Sequence, residues 1–307
     1  MKSQTFTRIT AMTLFTALAI SALLAAQEQG TQQQHKKEHR RYKLIDIGTF
    51  GGPASFVNPA VNGGATISRR GIAVGTSATV SSSNPATNGF FCSGLDGNLP
   101  FVFHAFKLEY GNATDLGALP PAEDNCSDAL GVNANGEIAG GSENGVIDPV
   151  LGVTEVRAVL WKDGRIKDLG TFGGNLSQAT AINNRGQIVG FSLNKIPDPL
   201  SMFDTLFGLP SDGTQTRAFL WENEHMEDLG TLGGPDAFGV FVNERGQVAG
   251  FSYTNSTPNP NTGVSPHGSI SLGARQNGGS RQPRRRYCWP KWPQQPRSGY
   301  RHRELGR

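Results

Sequence analysis

Two stretches of the chain repeat one another: residues 157–192 read RAVLWKDGRIKDLGTFGGNLSQATAINNRGQIVGFS, and residues 217–252 read RAFLWENEHMEDLGTLGGPDAFGVFVNERGQVAGFS. A looser copy occupies residues 104–142, and residues 42–77 match the later part of the same unit. Repetition of this kind is typical of architectures in which one supersecondary unit stacks on the next. We therefore expect one β-repeat domain spanning residues 42–264.

Each unit contains the signals of four short strands. Residues 217–221 alternate between two faces at period two, which is the pattern of a strand. Asp163-Gly164 predicts a hairpin turn, because glycine accepts positive φ, and Asn184-Arg185-Gly186 predicts the next turn. The remaining predictions are strands at 165–169, 179–182 and 187–191, with a sharp change of direction at Gly173-Gly174.

Four strands per unit favour an all-β, β-propeller-like protein with roughly four-stranded blades. A single four-stranded sheet cannot bury both faces, so neighbouring units must stack. The first copy begins in the middle of a blade at Tyr42 and lacks the Arg-Ala-Phe-Leu-Trp strand. We therefore expect an incomplete ring.

Four motifs together resemble the bacterial extracellular HAF-repeat family: His104-Ala105-Phe106, the RAFLW segment at 217–221, the DLGTLGG segment at 228–234 and the NERGQV segment at 243–248. The resemblance covers about residues 42–252. It implies an exported protein of propeller-like architecture without an established biochemical activity. Only the copy at 104–106 retains the literal triplet, and two others begin with Arg157 and Arg217.

Residues that recur in every unit are expected to be structural, because an active site is normally a single constellation. We predict that they tie strands together and fill the space between blades. These residues are Asp46, Asp115, Asp168, Asp228, Trp161, Trp221, Gly174, Gly234, Gly186 and Gly246. Specificity is expected in the segments that differ between units, which we predict to be surface loops. These segments are 78–103, 143–156, 193–216 and 253–266. In the third segment, Phe203 and Phe207 are expected to pack against the domain and so hold the loop on it. The alternative is that they contact a ligand.

The two ends of the chain differ from the repeats. Residues 1–26 read as a secretory signal, with Lys2 and Arg8 before an apolar run, and residues 27–41 as a polar tether. A membrane anchor is the alternative, which the short apolar run disfavours. Residues 265–307 are expected to be a basic, disordered tail that contains ten of the 28 basic residues and one of the 25 acidic residues. The body of the chain is therefore acidic, which argues against nucleic acid as a partner.

The tail is also interpreted as a shifted reading frame. Codons that encode the tail from Ile270 onward, read one nucleotide late, can give Phe-Leu-Trp-Glu followed by Asp-Leu-Gly and Asn-Asn-Arg-Gly-Gln-Val motifs. The hypothesis is a single-nucleotide slip between about Thr257 and Ser269. The product would then lack strands that a complete ring needs, and its unpaired edges would favour aggregation.

The three cysteines are Cys92, Cys126 and Cys288, and their spacing does not suggest a metal site. A disulfide between Cys92 and Cys126 is predicted for an oxidising compartment, and the alternative is two free thiols.

We expect no catalytic residue, cofactor or metal. The predicted function is a secreted or periplasmic, non-catalytic module that binds an unknown extracellular protein or carbohydrate, without stable membrane insertion after signal cleavage. One alternative is a propeller hydrolase or lyase, which would need non-repeated acids or histidines converging on a central channel. The other is a frameshift-truncated product without function.

Overall fold

The structure is a computed structural model, and it describes residues 44–57, 65–82, 101–121, 124–207, 213–258 and 267–272. Within them the chain forms fifteen β-strands and one short helix, so the predicted all-β class is confirmed. Residues from Ile47 onward form one compact unit, and 44–46 belong to another. The predicted signal peptide and tether lie outside the described residues, as does most of the tail. Residues 267–272 of the tail form a strand, so the expected disorder is wrong for them.

The strands form four antiparallel meanders, which we number in chain order. The first has the order β1(Gly51–Phe56), β2(Ala73–Ser82), β3(Phe101–Glu109) and β4(Asn112–Asp115). The second contains β5(Ser127–Val132), β6(Ile138–Ile147), β7(Thr154–Lys162) and β8(Arg165–Asp168). The third contains β9(Gly173–Ile182), β10(Ile188–Pro197), β11(Thr214–Glu222) and β12(His225–Asp228). The fourth has three described strands, β13(Ala237–Val242), β14(Val248–Tyr253) and β15(His267–Leu272).

A single parallel bridge between Val156 and Leu176 joins the second and third meanders into one eight-stranded sheet. Within the described residues none of the sheets closes on itself.

The strand registers correspond from one meander to the next. The glycine near the start of each second strand faces a core residue of the third strand: Gly75 faces Phe106, Gly140 faces Val159, and Gly190 faces Phe219. An aspartate of the fourth strand faces the same core residue from the other side. Asp115 faces Phe106, Asp168 faces Val159, and Asp228 faces Phe219. Together with the pairing of Gly250 and Ile270 in the fourth meander, these pairings define which residues are equivalent in the four meanders.

The predicted turns agree with the observed ones. Asp163 and Gly164 have φ of 51° and 71° and connect β7 to β8. Gly186, with φ of 76°, completes the turn between β9 and β10. Gly173 and Gly174, where a change of direction is expected, are the first two residues of β9. The strand register shifts there, and Gly173 has φ of 103°.

The prediction that the segments between units are surface loops is wrong for several stretches that the structure describes. Strand β6 extends to Ile147 and β10 to Pro197, and a helix α1(Met202–Phe207) lies in the third connection. Leu193 and Met202 are fully buried, and Phe203 is almost so. The expected packing role of Phe203 is thus observed, because its ring lies 5.7 Å from that of Phe191.

Consecutive meanders bury apolar faces against each other. For each meander we call the side that packs on the preceding meander its front face and the opposite side its back face. Between the second and third meanders, Ala139, Leu160 and Leu169 of the back face meet Ile188 and Trp221 of the front face, among others. Equivalent residues form the other two interfaces.

All four meanders also contribute to one further cluster, which we call the apolar hub. Its buried members are Ala78, Val102, Phe103, Cys126, Val156, Leu176, Phe191, Leu193, Met202, Phe203, Phe238, Val240 and Tyr253. The rings of Phe191 and Phe238 stack there with centroids 4.1 Å apart. Burial of this much apolar surface from distant parts of the chain ties the meanders together.

Candidate functional site

The aspartates of the repeated Asp-Leu-Gly motif bind their own turn and a basic side chain. Asp228 accepts two hydrogen bonds from Arg217, at 2.9 and 3.2 Å, and the N–H of Gly230 at 2.8 Å. Asp168 bonds Gly170 in the same way and lies 3.8 Å from Arg157. These contacts join the third strand to the fourth and fix the turn that follows.

In the first meander His104 takes the place of the arginine and lies 2.9 Å from Asp115. Burial alone would raise the pKa of Asp115, but hydrogen bonds from His104 and the Gly117 N–H outweigh it and lower that pKa. The fourth repeated aspartate, Asp46, is exposed and ends no described strand, which distinguishes it from the other three.

The repeated tryptophans fill the spaces between meanders. Trp161 is buried between the first and second meanders, where its indole N–H donates to the Leu116 carbonyl at 3.0 Å. Trp221 occupies the equivalent place between the second and third, with the Lys167 ammonium 5.4 Å from its ring centroid.

The repeated glycines stand where a side chain does not fit or where φ is positive. A Cβ on Gly174 would lie 2.6 Å from the Leu193 Cβ, and a Cβ on Gly234 would lie 2.5 Å from the Tyr253 Cβ. Gly186 and Gly246 have φ of 76° and 73°, a region that glycine adopts without steric cost.

Sequence reasoning missed a set of repeated serines that recur at the same place in all four meanders. Ser77, Ser142, Ser192 and Ser252 each accept a backbone N–H from a residue 20 to 27 positions away, at 2.9–3.1 Å. Each is the last residue of the Gly-x-Ser end of the repeat, a signal present in the sequence.

Three buried carboxyl groups break the repeat. Glu143 stands where the other meanders have Ala78, Leu193 and Tyr253. Asp236 is equivalent to Cys126 and Leu176, and Asp128 to Gln178 and Phe238. Several of these equivalents are members of the apolar hub. At these buried positions the three acids therefore differ from the equivalent residues of the other meanders.

Each of these acids bonds backbone groups of a neighbouring strand or connection. Asp236, which is fully buried, accepts the N–H of Thr216 and of Met202, both at 2.7 Å. Because Met202 begins helix α1, this carboxyl holds the 198–216 connection against the fourth meander. Asp128 accepts the Gly141 N–H at 3.0 Å and the Gln178 amide at 3.2 Å.

Burial perturbs the protonation of all three. Loss of solvent raises the pKa of Asp128, Glu143 and Asp236 to about 7 each, despite the hydrogen bonds that oppose the shift. The neighbouring Asp198 carboxyl raises the pKa of Asp236 further. One oxygen of Asp198 and one of Glu143 are buried without a hydrogen-bond partner. With pKa values near 7, Asp128, Glu143 and Asp236 can exchange protons near neutral pH, as an acid–base catalyst does, but they act in catalysis only if a substrate can reach them.

A cleft lies on the surface, outside the apolar hub. It has a volume of about 720 Å³ and is lined by the outer hairpins of the second and third meanders and by the turn after β9. Its charged lining residues are Glu137, Lys162, Asp163, Arg165, Lys167, Arg185 and Glu224.

Cys126 is disulfide-bonded and is a fully buried member of the hub. Cys92 and Cys288 are outside the described residues, so the pairing of Cys126 with Cys92 stays a prediction. No group of three or more histidine, cysteine or acidic side chains in the described part of the chain is placed to hold a metal ion.

The fold and these sites define an all-β protein made of stacked antiparallel meanders. The chain matches no family model, no curated protein and no solved structure. Among the described residues, none of the helices is both long and apolar enough to cross a bilayer.

Proposed function

We propose that this chain is an exported, non-catalytic binding module built on a propeller-like stack of four-stranded blades. The equivalent registers of the meanders and the equivalent residues between them support the blade interpretation. The resemblance to HAF-repeat proteins supports export to the periplasm or the cell exterior.

The observation that carries the binding role is the charged cleft between the second and third meanders. Lys162 pairs with Glu137 at 2.6 Å, and Lys167 pairs with Glu224. The guanidinium groups of Arg165 and Arg185 have no carboxylate partner within the described residues. Planar guanidinium groups of this kind bind carboxylates through paired N–H donors. The favoured ligand is therefore an extracellular chain that carries carboxylate groups.

Binding of soluble acidic polymers tests this role. The double variant Arg165→Gln/Arg185→Gln is compared with wild type and with Lys195→Gln, which removes an exposed cation outside the cleft. We expect wild type and Lys195→Gln to bind alginate or polyglutamate more tightly than neutral dextran, and the double variant to lose about tenfold in affinity or more. Alginate and polyglutamate distinguish a carbohydrate from a peptide ligand. Equal binding by all three proteins would refute the role of the cleft.

The hydrolase or lyase alternative requires non-repeated acids, and the chain contains them in Asp128, Glu143 and Asp236. Each of these residues is at most 2% exposed. All three bond backbone N–H groups. Burial and bonding of this kind favour a structural role, because a catalytic carboxyl must touch its substrate.

The frameshift alternative gains support from the register of the last described strand. Gly250 of β14 faces Ile270 of β15, just as Gly190 faces Phe219. The shifted frame reads Phe-Leu-Trp from Ile270 onward, and these are the residues at 219–221. Sequencing the gene across codons 250–310 tests the idea, which fails if no shifted frame encodes the repeat.

A further inference from the structure

The connections that follow β6 and β10 begin with equivalent tips. Ile147 and Pro197 occupy the same position, because each pairs with a threonine at the start of the next strand. We call residues 144–153 and 194–200 the apolar tips. They lie at the opposite end of β6 and β10 from the turns that line the charged cleft. A surface at the tips is therefore distinct from the cleft.

The large side chains that the tips expose are apolar. Val146 and its equivalent Ile196 are 52% and 55% exposed, and Ile147 and Val150 are 42% and 77% exposed. A single exposed aliphatic side chain is ordinary in a folded protein. Four of them on two equivalent tips form a patch, and patches of this kind are typical of interaction sites.

The two tips lie near each other across the start of β9. The Asn175 amide of β9 donates to Asp148 at 3.0 Å, and Gly173 of the same strand pairs with Asn194. Two strand spacings, about 10 Å, therefore separate the tips. At that spacing both tips can contact one surface at once.

The acidic residue of each tip is turned inward and binds backbone amides. Asp148 and its equivalent Asp198 are 6% and 8% exposed. Asp148 accepts the N–H groups of Val150 and Leu151 at 2.8 and 2.7 Å. Asp198 accepts the N–H of Leu200 at 3.0 Å. Since the tips contain no other acidic residue, no carboxylate stands beside their exposed apolar side chains.

The asparagines of the tips bind backbone amides in the same way. Asn144 accepts the N–H of Val146 at 2.9 Å, and Asn194 accepts that of Ile196 at 2.8 Å. Proline has no N–H to bond. The prolines of the tips are Pro149, Pro197 and Pro199. The N–H groups beside the exposed side chains thus have partners within the chain, as a segment needs where water is absent.

We propose that the apolar tips bind a lipid surface, with their exposed valine and isoleucine side chains at the boundary between headgroups and acyl chains. Acyl chains accept no hydrogen bonds, so a segment that enters this boundary must bond its own N–H groups, as the tips do. A groove of another protein would not impose that condition, because it can supply acceptors. Lys195 is exposed beside Ile196, where its ammonium group can reach the headgroups.

This contact is interfacial. Four aliphatic side chains bury little area, so binding is weak and reversible, and no segment crosses the bilayer. The charged cleft, at the other end of the strands, then faces away from the lipid.

Flotation of the full chain with phosphatidylcholine vesicles tests the proposal, at about 0.5 M salt so that the charges of the basic tail are screened. We expect Val150→Asp/Ile196→Asp to lower the partition coefficient at least about tenfold. Val150→Leu/Ile196→Leu should bind as well as wild type. Tyr110→Asp is the control, because Tyr110 is 92% exposed at the outer hairpin between β3 and β4 and is equivalent to Asp163. It should also bind like wild type.

Hydroxyl-radical labelling of the vesicle-bound wild type locates the contact, because the apolar run near the N-terminus can hold the chain on vesicles by itself. We expect residues 146–151 to be labelled more slowly on vesicles than in solution, and Tyr110 at an unchanged rate. Unchanged labelling of the tips overturns the proposal, as does wild type that does not float. Self-association of the wild type that Val150→Asp/Ile196→Asp abolishes, without vesicle binding, also overturns it and assigns the tips to a protein contact.

Discussion

Glu143 of β6 faces Cys126, the residue that precedes β5, and the two residues form hydrogen bonds in both directions. The Glu143 carboxylate accepts the Cys126 N–H at 2.8 Å, and the Cys126 carbonyl accepts the Glu143 N–H at 2.9 Å. The other carboxylate oxygen is buried without a partner. A charge in this position costs free energy, which a proton removes.

The stability of the chain should therefore fall as the pH rises from about 4 to above 7. In that window the folded state keeps the protons of Asp128, Glu143 and Asp236, whose pKa values are near 7, while the unfolded state releases them. Each protonated group stabilises the folded state by at most ~4 kcal/mol, and this stabilisation is lost as the pH rises above about 7. Urea unfolding should give a higher midpoint at pH 5 than at pH 8.

The variant Glu143→Gln isolates one of these groups. It keeps an acceptor for the Cys126 N–H and removes the charge, so it should raise the urea midpoint at pH 8 and change it little at pH 5. The reciprocal variant Leu193→Glu places a carboxyl at the equivalent position of the third meander. It should lower the midpoint, and more so at pH 8 than at pH 5. An unchanged pH profile in both variants would contradict the assignment.

Replacement of Asp236 should release the connection that contains helix α1. Asp236→Leu installs the residue of the equivalent position 176 but removes the acceptor of the Thr216 and Met202 N–H groups. Two orphaned buried donors should cost about 2–4 kcal/mol in the free energy of unfolding. Limited proteolysis should then cut residues 198–216 faster than in wild type. Asp236→Asn, which keeps one acceptor oxygen, should lie between the two, and equal stability of all three would contradict this role.

Two glycines allow steric fit to be separated from backbone conformation. Gly174→Ala places a Cβ 2.6 Å from the Leu193 Cβ, so β9 or β10 must shift, at a cost of about 1–3 kcal/mol. Gly164→Ala meets nothing within 4 Å, but its φ of 71° disfavours alanine by roughly 1 kcal/mol. Urea unfolding of both variants should show the larger loss for Gly174→Ala. A larger loss of stability for Gly164→Ala would mean that β9 and β10 shift locally and accommodate the added Cβ at position 174.

The predicted disulfide can be checked by peptide mapping without reduction. We expect a linked peptide that joins Cys92 to Cys126 in protein from an oxidising compartment. Cys92→Ser and Cys126→Ser should then destabilise the chain by similar amounts, of the order of 3–4 kcal/mol, because each opens the same loop. Cys288→Ser is the control and should leave stability unchanged. A linked peptide that joins Cys126 to Cys288 would refute the pairing.

The strands and hairpin turns could be predicted because they follow local rules. Asp163-Gly164 and Asn184-Arg185-Gly186 have the composition that their backbone angles require. The extensions of β6 and β10 could not, because Asn194 and Lys195 carry no apolar alternation, and the pairing with β7 and β11 holds them in the strand. Tertiary pairing overrides local propensity at such places.

The candidate site was less predictable than the strands. Repeated residues were expected to be structural, and the structure places Asp228, Trp161 and Gly174 in contacts between strands and meanders. The buried acids escaped notice because a single Glu143 in a polar-looking connection has no pattern. Glu143 and Leu193 both follow the Gly-x-Ser end of the repeat, and the strand register confirms that they are equivalent, so Glu143 occupies an apolar position.

The claim on which the account depends is that equivalent segments fold alike and stack on one another. A crystal structure of the expressed chain tests it most directly, through superposition of residues 127–168 on residues 177–228. We expect Gly140 to face Val159 as Gly190 faces Phe219, with Trp161 and Trp221 buried between consecutive meanders. Different registers in the two segments, or tryptophans exposed to solvent, would contradict it.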